Sequence, residues 1–412
     1  MTSNAAVGVS SASMAFAASL LLAACGGGSN GGNSQPAPGT LDPGFGDAGT
    51  VILAQGAIAT GLALQADGKI IVAAVEWIVR YERGGTPDPT FGSGGFARAS
   101  PPGNDAFGVR HVSSQADGKI LAAGSYVPTG GGGAYHCALA RYSIDGSIDP
   151  TFGNGGIVVW EPEGNVSDCT DIALQRDGRI LLAIHIGNSA LPAGSIARFH
   201  ADGSLDASFG ANGVAAGGGN IAIQPDGKIL AASVLRGHGL NQCTVTRVDA
   251  GGVADASFGE GGMVAWTGPF DDQAPLACAL ALQPDGMFIV TNAGSVARFL
   301  ANGAPDSRFG GGIVTGIPGV AVAVQSNGKI VIAGSDVTTS AGSASFALWR
   351  LDANGARDSG FGNSGMVVTP LLGQGGAVAV AIQPDGRILA AGWSFHQPLQ
   401  PEVGVVVRYV GD

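Results

Sequence analysis

Small apolar residues recur in short runs along most of this chain, and Gly-containing turns break the runs at regular intervals. AVAVAIQ (377–383) has the alternation of a pleated strand. PDGR (384–387) follows, with Pro to preset φ, Asp to cap the turn and Gly for a positive φ. ILAAGWS (388–394) returns as a second strand, and VGVVVRYV (403–410) follows a loop as a third. In complete units an Asn/Asp-Gly turn comes next, such as DANG (352–355) or IDGS (144–147). Asp-x-x-Phe-Gly-x-x-Gly then leads into a short apolar strand such as MVV (366–368).

The pattern comes round seven times. Arg is followed eight residues later by Asp and three later by Phe-Gly: Arg80, Asp88, Phe91; Arg141, Asp149, Phe152; Arg198, Asp206, Phe209; Arg247, Asp255, Phe258; Arg298, Asp306, Phe309; Arg350, Asp358, Phe361. The seventh set is split, with Arg408 near one end of the chain and Asp42 and Phe45 near the other. Between them runs Gln-x-(Asp/Asn)-Gly, ending at Gly68, Gly118, Gly178, Gly227, Gly286, Gly328 and Gly386. A period of this length marks a supersecondary unit stacked on copies of itself. Four antiparallel strands in each of seven units predict an all-β, seven-bladed β-propeller over residues 41–412. LDPGFGDAGTVIL (41–53) has the form of the fourth strand that the last unit lacks. Residues 49–53 are therefore expected to pair with 403–410 and close the ring, which removes open sheet edges.

The Arg-to-Asp spacing has a physical reason. A hairpin centred on the Asp-Gly turn sets Arg, late in the third strand, across from Asp, early in the fourth. There a carboxylate can take two charge-assisted hydrogen bonds. The same pair in every unit reads as scaffold rather than as a ligand set. The seven Phe read as packing between blades, and the seven Gln as hydrogen bonders at turns or strand ends. Four cysteines occupy matching places in two pairs of units, and disulfides Cys137–Cys169 and Cys243–Cys278 are expected, with four buried free thiols as the alternative.

Composition narrows the class. Gly is 71 of 412 residues but follows no triplet period, which excludes collagen. The net charge of −11 argues against nucleic acid or an anionic lipid surface as partner. MAFAASLLLAA (14–24) is too short to span a membrane. It ends in Leu22-Ala23-Ala24-Cys25, which resembles the lipobox of bacterial lipoproteins, although residues 1–13 carry no Lys or Arg. That resemblance implies a signal peptide over 1–24 and a lipid on Cys25. GGGSNGGNSQPAPGT (26–40) would then complete a flexible tether over 25–40, reaching about 20 Å as a coil.

The units themselves resemble the bacterial delta-60 repeat. The motifs are QPDGKIL (224–230), ALARY (138–142) and DGSIDPTFGNGG (145–156), and the resemblance covers 41–412. Asn327 for Asp, Met287 for Lys and a shortened hairpin at Val75–Ile78 are the departures. The resemblance implies a propeller and an envelope or secreted setting, and no fixed activity, so it transfers no catalytic residue.

Strand direction sorts the connections into two faces. Both kinds of Gly turn lie on one face and hardly vary. The remaining loops lie on the other, where the distance from turn Gly to Arg runs from 12 residues (68 to 80) to 23 (118 to 141). Variable loops on a rigid ring are where binding usually sits. Glu161, Glu163, Asp168, Asp171, Asp271 and Asp272 are assigned to these loops, with Asp105, Asp336 and Glu402, and make that face acidic. No serine-hydrolase elbow, HExxH, P-loop or EF-hand loop stands out. His136, His238 and His396 read as loop histidines, and the five Trp as packing within blades. EPEGNVSDCTD (161–171) is a candidate Ca²⁺ loop, set against a solvated acidic loop. The expected function is a non-enzymatic scaffold, lipid-anchored at the envelope, binding a protein, glycan or matrix ligand through the variable face. The alternative is a Ca²⁺-dependent, lactonase-like hydrolase at the central channel. That needs converging carboxylates and amides where the inner strands start, and Asp171 is the main one there.

The lipid-anchor expectation has a direct check. Cys25→Ser should abolish labelling by a fatty-acid analogue and release the protein from the membrane fraction. A wild-type protein that is unlabelled and soluble would make the lipobox match accidental.

Overall fold

Each Gln-x-Asp-Gly string closes a hairpin by itself. In the fourth unit Gln224 N donates to Lys228 O (2.8 Å), Gly227 N to Gln224 O (2.9 Å), and Lys228 N to the Asp226 carboxylate (3.1 Å). Gly227 sits at φ +87°, a conformation that disfavours any Cβ. The computed structural model describes residues 36–412 apart from 55–56, 99–105, 128–134, 161–166, 187–193, 238–239, 267–277, 293, 337–343, 372 and 396–401.

The strands form seven four-stranded antiparallel sheets, the blades of a propeller. Blade 2, for example, runs Ala106–Ser114, Ile120–Val127, His136–Tyr142 and Ile157–Trp160. The first strands of successive blades contact one another all the way round, including the last with the first, and so line a central channel. Blade 7 takes its outer strand from the N-terminal segment: Thr50 pairs with Val407, Val51 with Val406 and Ile52 with Val405. The described body begins before that strand. Residues 36–40, linker by composition, include Pro38, whose carbonyl accepts from Gly362 N of blade 6.

The core lies between blades. Each sheet is apolar on both faces, so each apolar cluster is shared by two neighbours. Leu139 and Phe152 of blade 2 pack with Ile180, Leu182 and Phe199 of blade 3, and Leu389 and Val406 of blade 7 pack with Ile70 and Val72 of blade 1. Two tryptophans expected to pack within blades bridge them instead. Trp160 meets Phe199 edge-on at 5.8 Å and Trp266 meets Phe299 at 6.4 Å, because each ends a short outer strand beside the next blade.

One polar joint recurs at every seam. The Arg Nε lies 2.7–3.0 Å from its Asp Oδ2 in all seven pairs. The guanidinium carbon stands 4.4–4.8 Å over the ring of the following Phe. In six blades Arg Nη1 then donates to a turn carbonyl of the next blade, as from Arg80 to Ile144 O (2.6 Å) and from Arg408 to Arg83 O. Arg350 has no such turn to meet, and its Nη2 bonds the Asp412 carboxylate instead (2.9 Å). In six blades the Gly after the Phe donates its N–H to the next blade's turn, as from Gly92 to Asp145 O (2.7 Å) and from Gly46 to Gly84 O (2.8 Å), and Gly362 donates to Pro38 O instead. Lys69, Lys119, Arg179, Lys228, Lys329 and Arg387 of the first turns reach the same Asp residues. Blade 5 carries Met287 at that place, and Arg308 binds Asp306 there instead.

The other rim is stapled covalently at two seams. Cys137–Cys169 joins blades 2 and 3 and Cys243–Cys278 joins blades 4 and 5, with Cα separations of 4.8 and 5.7 Å. Closing loops of 32 and 35 residues contributes about 3–4 kcal/mol each through the entropy of the unfolded chain.

Two outcomes follow from the joint. Arg141→Ala leaves the buried Asp149 carboxylate without its guanidinium partner and should cost up to about 3–5 kcal/mol in denaturant unfolding; an unchanged midpoint would contradict it. Acid should undo all the joints together. Hydrogen bonds from the Ser208 hydroxyl and backbone, with the Arg198 charge, hold Asp206 at about 2 against the opposing effect of burial. Arg308 and Arg298 hold Asp306 at about 2 likewise. A carboxyl depressed in the folded state stabilises fully above its ordinary value and loses that contribution as pH falls through the folded one. Stability by circular dichroism should therefore drop steeply between about pH 4 and pH 2. A flat profile over that range would refute the assignment.

Candidate functional site at the channel mouth

The repeat is least uniform where the first strands enter the channel. Strand register defines equivalent positions: Gly61, His111, Asp171, Asn220, Ala279, Ala321 and Ala379 face Ala73, Ala123, Ala183, Ala232, Thr291, Ala333 and Ala391. Blades 2, 3 and 4 thus bring His, Asp and Asn to one tier, and the other four bring Gly or Ala. All seven stand four residues before the repeat Gln, so aligning the chain on that Gln would have found His111 and Asn220.

A β-bulge lies just upstream in blades 2, 3, 6 and 7, and in blades 2 and 3 it releases a polar residue. The pairing skips Arg110 between Val109 and His111, and Thr170 between Cys169 and Asp171. A bulged residue is released from the ladder and re-aimed. Thr170 Oγ1 crosses to Gly219 O of blade 4 (3.2 Å). The Arg110 side chain stays 55% exposed and approaches Asp168 of blade 3, Nε to Oδ2 3.5 Å. Ser125 of blade 2 donates to the other oxygen of Asp168 (2.6 Å). Ser125 lies opposite Cys137 in register, and Asp168 precedes Cys169, so the first disulfide pins both sides of this contact.

His111 and Asp171 form a second pair, Nδ1 to Oδ1 3.9 Å, with side chains 31% and 26% exposed. Asp171 is held rigidly. One oxygen accepts Ile172 N (2.8 Å) and the other accepts Ile221 N of blade 4 (2.9 Å). Water reaches both residues, yet protein surrounds them. Burial raises the Asp171 carboxyl above its ordinary value despite those hydrogen bonds and His111. It lowers the His111 imidazole despite the Asp171 and Asp168 charges. Burial thus disfavours the charged form of both members of the pair.

The acidic residues assigned to variable loops do not behave as one set. Asp168 and Asp171 belong to the inner strand Ser167–Leu174, not to a loop, because pairing begins upstream of the cysteine. Asp336 is buried at the end of Ile330–Asp336, and Glu402 is exposed. Glu161, Glu163, Asp271, Asp272 and Asp105 lie outside the described residues, as do Cys25, His238 and His396. His136, expected in a loop, is buried on the strand His136–Tyr142. The Arg and Asp residues of the joints lie at the opposite end of the blades from the channel mouth. Among the described residues no group of three or more His, Cys, Asp or Glu side chains is arranged to hold a metal ion, and no helix is long and apolar enough to cross a membrane. For the Ca²⁺ loop expected over 161–171, Asp168 and Asp171 are already engaged by Ser125, Arg110 and backbone N–H groups.

Residues 65–91, 115–152, 175–209 and 325–361 match the family model described as domain of unknown function (DUF5122) beta-propeller. No curated protein matches the chain by sequence. Among solved structures, the chain resembles virginiamycin B lyase from Staphylococcus aureus with a TM-score of 0.51 at 11% identity, covering 87% of this chain and 98% of that one. A protein of unknown function from Dyadobacter fermentans aligns with TM-score 0.44 at 13% identity, over 90% and 100% of the two chains. A gluconolactonase from Xanthomonas campestris aligns with TM-score 0.38 at 14% identity, over 91% and 99%. At 11% identity, the likeness to the lyase speaks to the fold alone.

Proposed function

We propose that this protein is a non-enzymatic binding propeller, held at the bacterial cell envelope by a lipid on Cys25. It recognises a protein, glycan or matrix component on its variable-loop face, with Arg110, His111, Asp168, Asp171 and Asn220 at the centre of that face. Nucleic acid is not its partner, and the membrane is reached only through the anchor. One observation supports this most. The seven units repeat their joint residues faithfully but depart from one another at the channel mouth, and there polar side chains stand together in adjacent blades. A scaffold alone has no need of such an arc, which leaves charged groups partly exposed at positions that are Gly or Ala in the other four blades.

The His111–Asp171 couple favours a second reading, a hydrolase acting at the channel mouth in the manner of a lactonase. A neutral imidazole whose Nδ1 faces a carboxylate can accept a proton through its other nitrogen. The Ca²⁺-dependent form of that reading would need further ligands beyond these two residues.

Capture from envelope extracts by the full chain carrying Cys25→Ser, with and without Ca²⁺, separates the readings. Binding is expected to survive neutral substitutions in the joint-bearing turns. It should fall at least tenfold with Arg110→Ala combined with Asp168→Ala, and weaken when Glu161, Glu163, Asp271 and Asp272 are neutralised. Equal capture by both variants would move the site elsewhere. Lactone turnover lost in His111→Ala would replace the binding reading with the enzymatic one.

A further inference from the structure

The chemistry of the arc says more about its ligand than that one binds. Its charges do not favour an anion, with one guanidinium, Arg110, against the two carboxylates of Asp168 and Asp171 and an imidazole whose charged form burial disfavours. An anion placed against Arg110 would also meet Asp168, whose Oδ2 lies 3.5 Å from Arg110 Nε. A metal ion fits no better. Among the described residues no three His, Cys, Asp or Glu side chains are arranged to hold one. What remains is a mixed set of donors and acceptors. The outer nitrogens of Arg110 and the amide of Asn220 have no partner among the described residues, and each carboxylate oxygen keeps a spare lone pair. Hydroxyl groups suit such a set because each donates and accepts at once, and a planar guanidinium or amide can span two neighbouring oxygens. On the far side of the same tier, Gly61, Ala279, Ala321 and Ala379 present no polar side chain, so the polar contacts come from blades 2 to 4 alone.

We infer that the channel mouth between blades 2 and 4 holds a neutral, polyhydroxylated ligand, the terminal residue of a glycan. Arg110 and Asn220 donate to its hydroxyl oxygens, and Asp168 and Asp171 accept from its hydroxyl protons. This rests on the binding reading above and names the ligand class for that site.

Saturation-transfer NMR on the full Cys25→Ser chain tests it, with methyl glycosides of glucose, galactose, mannose and N-acetylglucosamine as probes and acetate and Ca²⁺ as controls. At least one glycoside should give a signal and shift the His111 ring protons. Arg110→Ala and Asn220→Ala should each weaken that binding about tenfold or more, as expected for loss of a hydrogen bond to a desolvated partner. Melting temperatures close to the parent chain will show that the variants are folded. The inference falls if none of the four sugars binds at concentrations on the order of 10 mM. It also falls if the double variant Arg110→Ala/Asn220→Ala binds as well as the parent, or if acetate or Ca²⁺ moves the His111 signals and no sugar does. Envelope capture that persists through such a failure keeps the binding reading and discards the glycan. Loss of both discards the site.

Discussion

The buried guanidinium of each blade is the joint on which the ring depends. Isolated, such a charge would be strongly destabilising in an apolar seam. Here its donors are divided by direction: Nε to the Asp of its own blade, Nη1 to a carbonyl of the next, and in some blades Nη2 to a Thr or Ser hydroxyl. The Phe ring beneath it fills the space against the next turn, where Gly146 and its equivalents leave no room for a Cβ. Each Arg is satisfied only when two blades are side by side in register. Folding of a blade and its docking onto a neighbour are therefore coupled.

That coupling explains how labour is divided between the faces. The turn face is occupied by joints, with the Lys or Arg of the first turn bound to the same carboxylates, so substitution there is paid in stability. Among the described residues the opposite rim carries no such repeated network. It is held by hydrophobic seams and by disulfides at two of the seven junctions. Residues there are free to differ between blades, and in blades 2 to 4 they do. The first disulfide lies beside the Ser125–Asp168 contact, which gives it a second consequence, holding the edge of the polar arc in one geometry.

The parts of the fold legible in the chain were those set by short-range geometry. Asp226-Gly227 closes a hairpin from its own residues, and an Arg and an Asp eight apart meet because a tight hairpin returns the strand. The pairing of Cys137 with Cys169 was legible from matched positions within the unit, since identical units place identical positions together. Asp168 was placed in a loop, and Asp171 both there and at an inner-strand start, because a run containing Ser, Asp, Cys and Thr lacks the apolar alternation of its sister strands. Arg110 and His111 went unnoticed because a bulge shifts the phase of the strand, and a one-residue shift changes which side chain reaches the channel.

From its own residues the chain determined the repeating unit, the turns, the seven ion pairs and the completion of blade 7 by residues 50–52. These follow from backbone conformational preference and from the demand that buried charge and sheet edges be satisfied, which act over a few residues or repeat identically. Only the tertiary structure decided that His111, Asp171 and Ile221, from three separate blades, meet at one point. No local rule relates those positions. Closure of the ring brings successive first strands together around a single channel, and side chains far apart in sequence then share one environment.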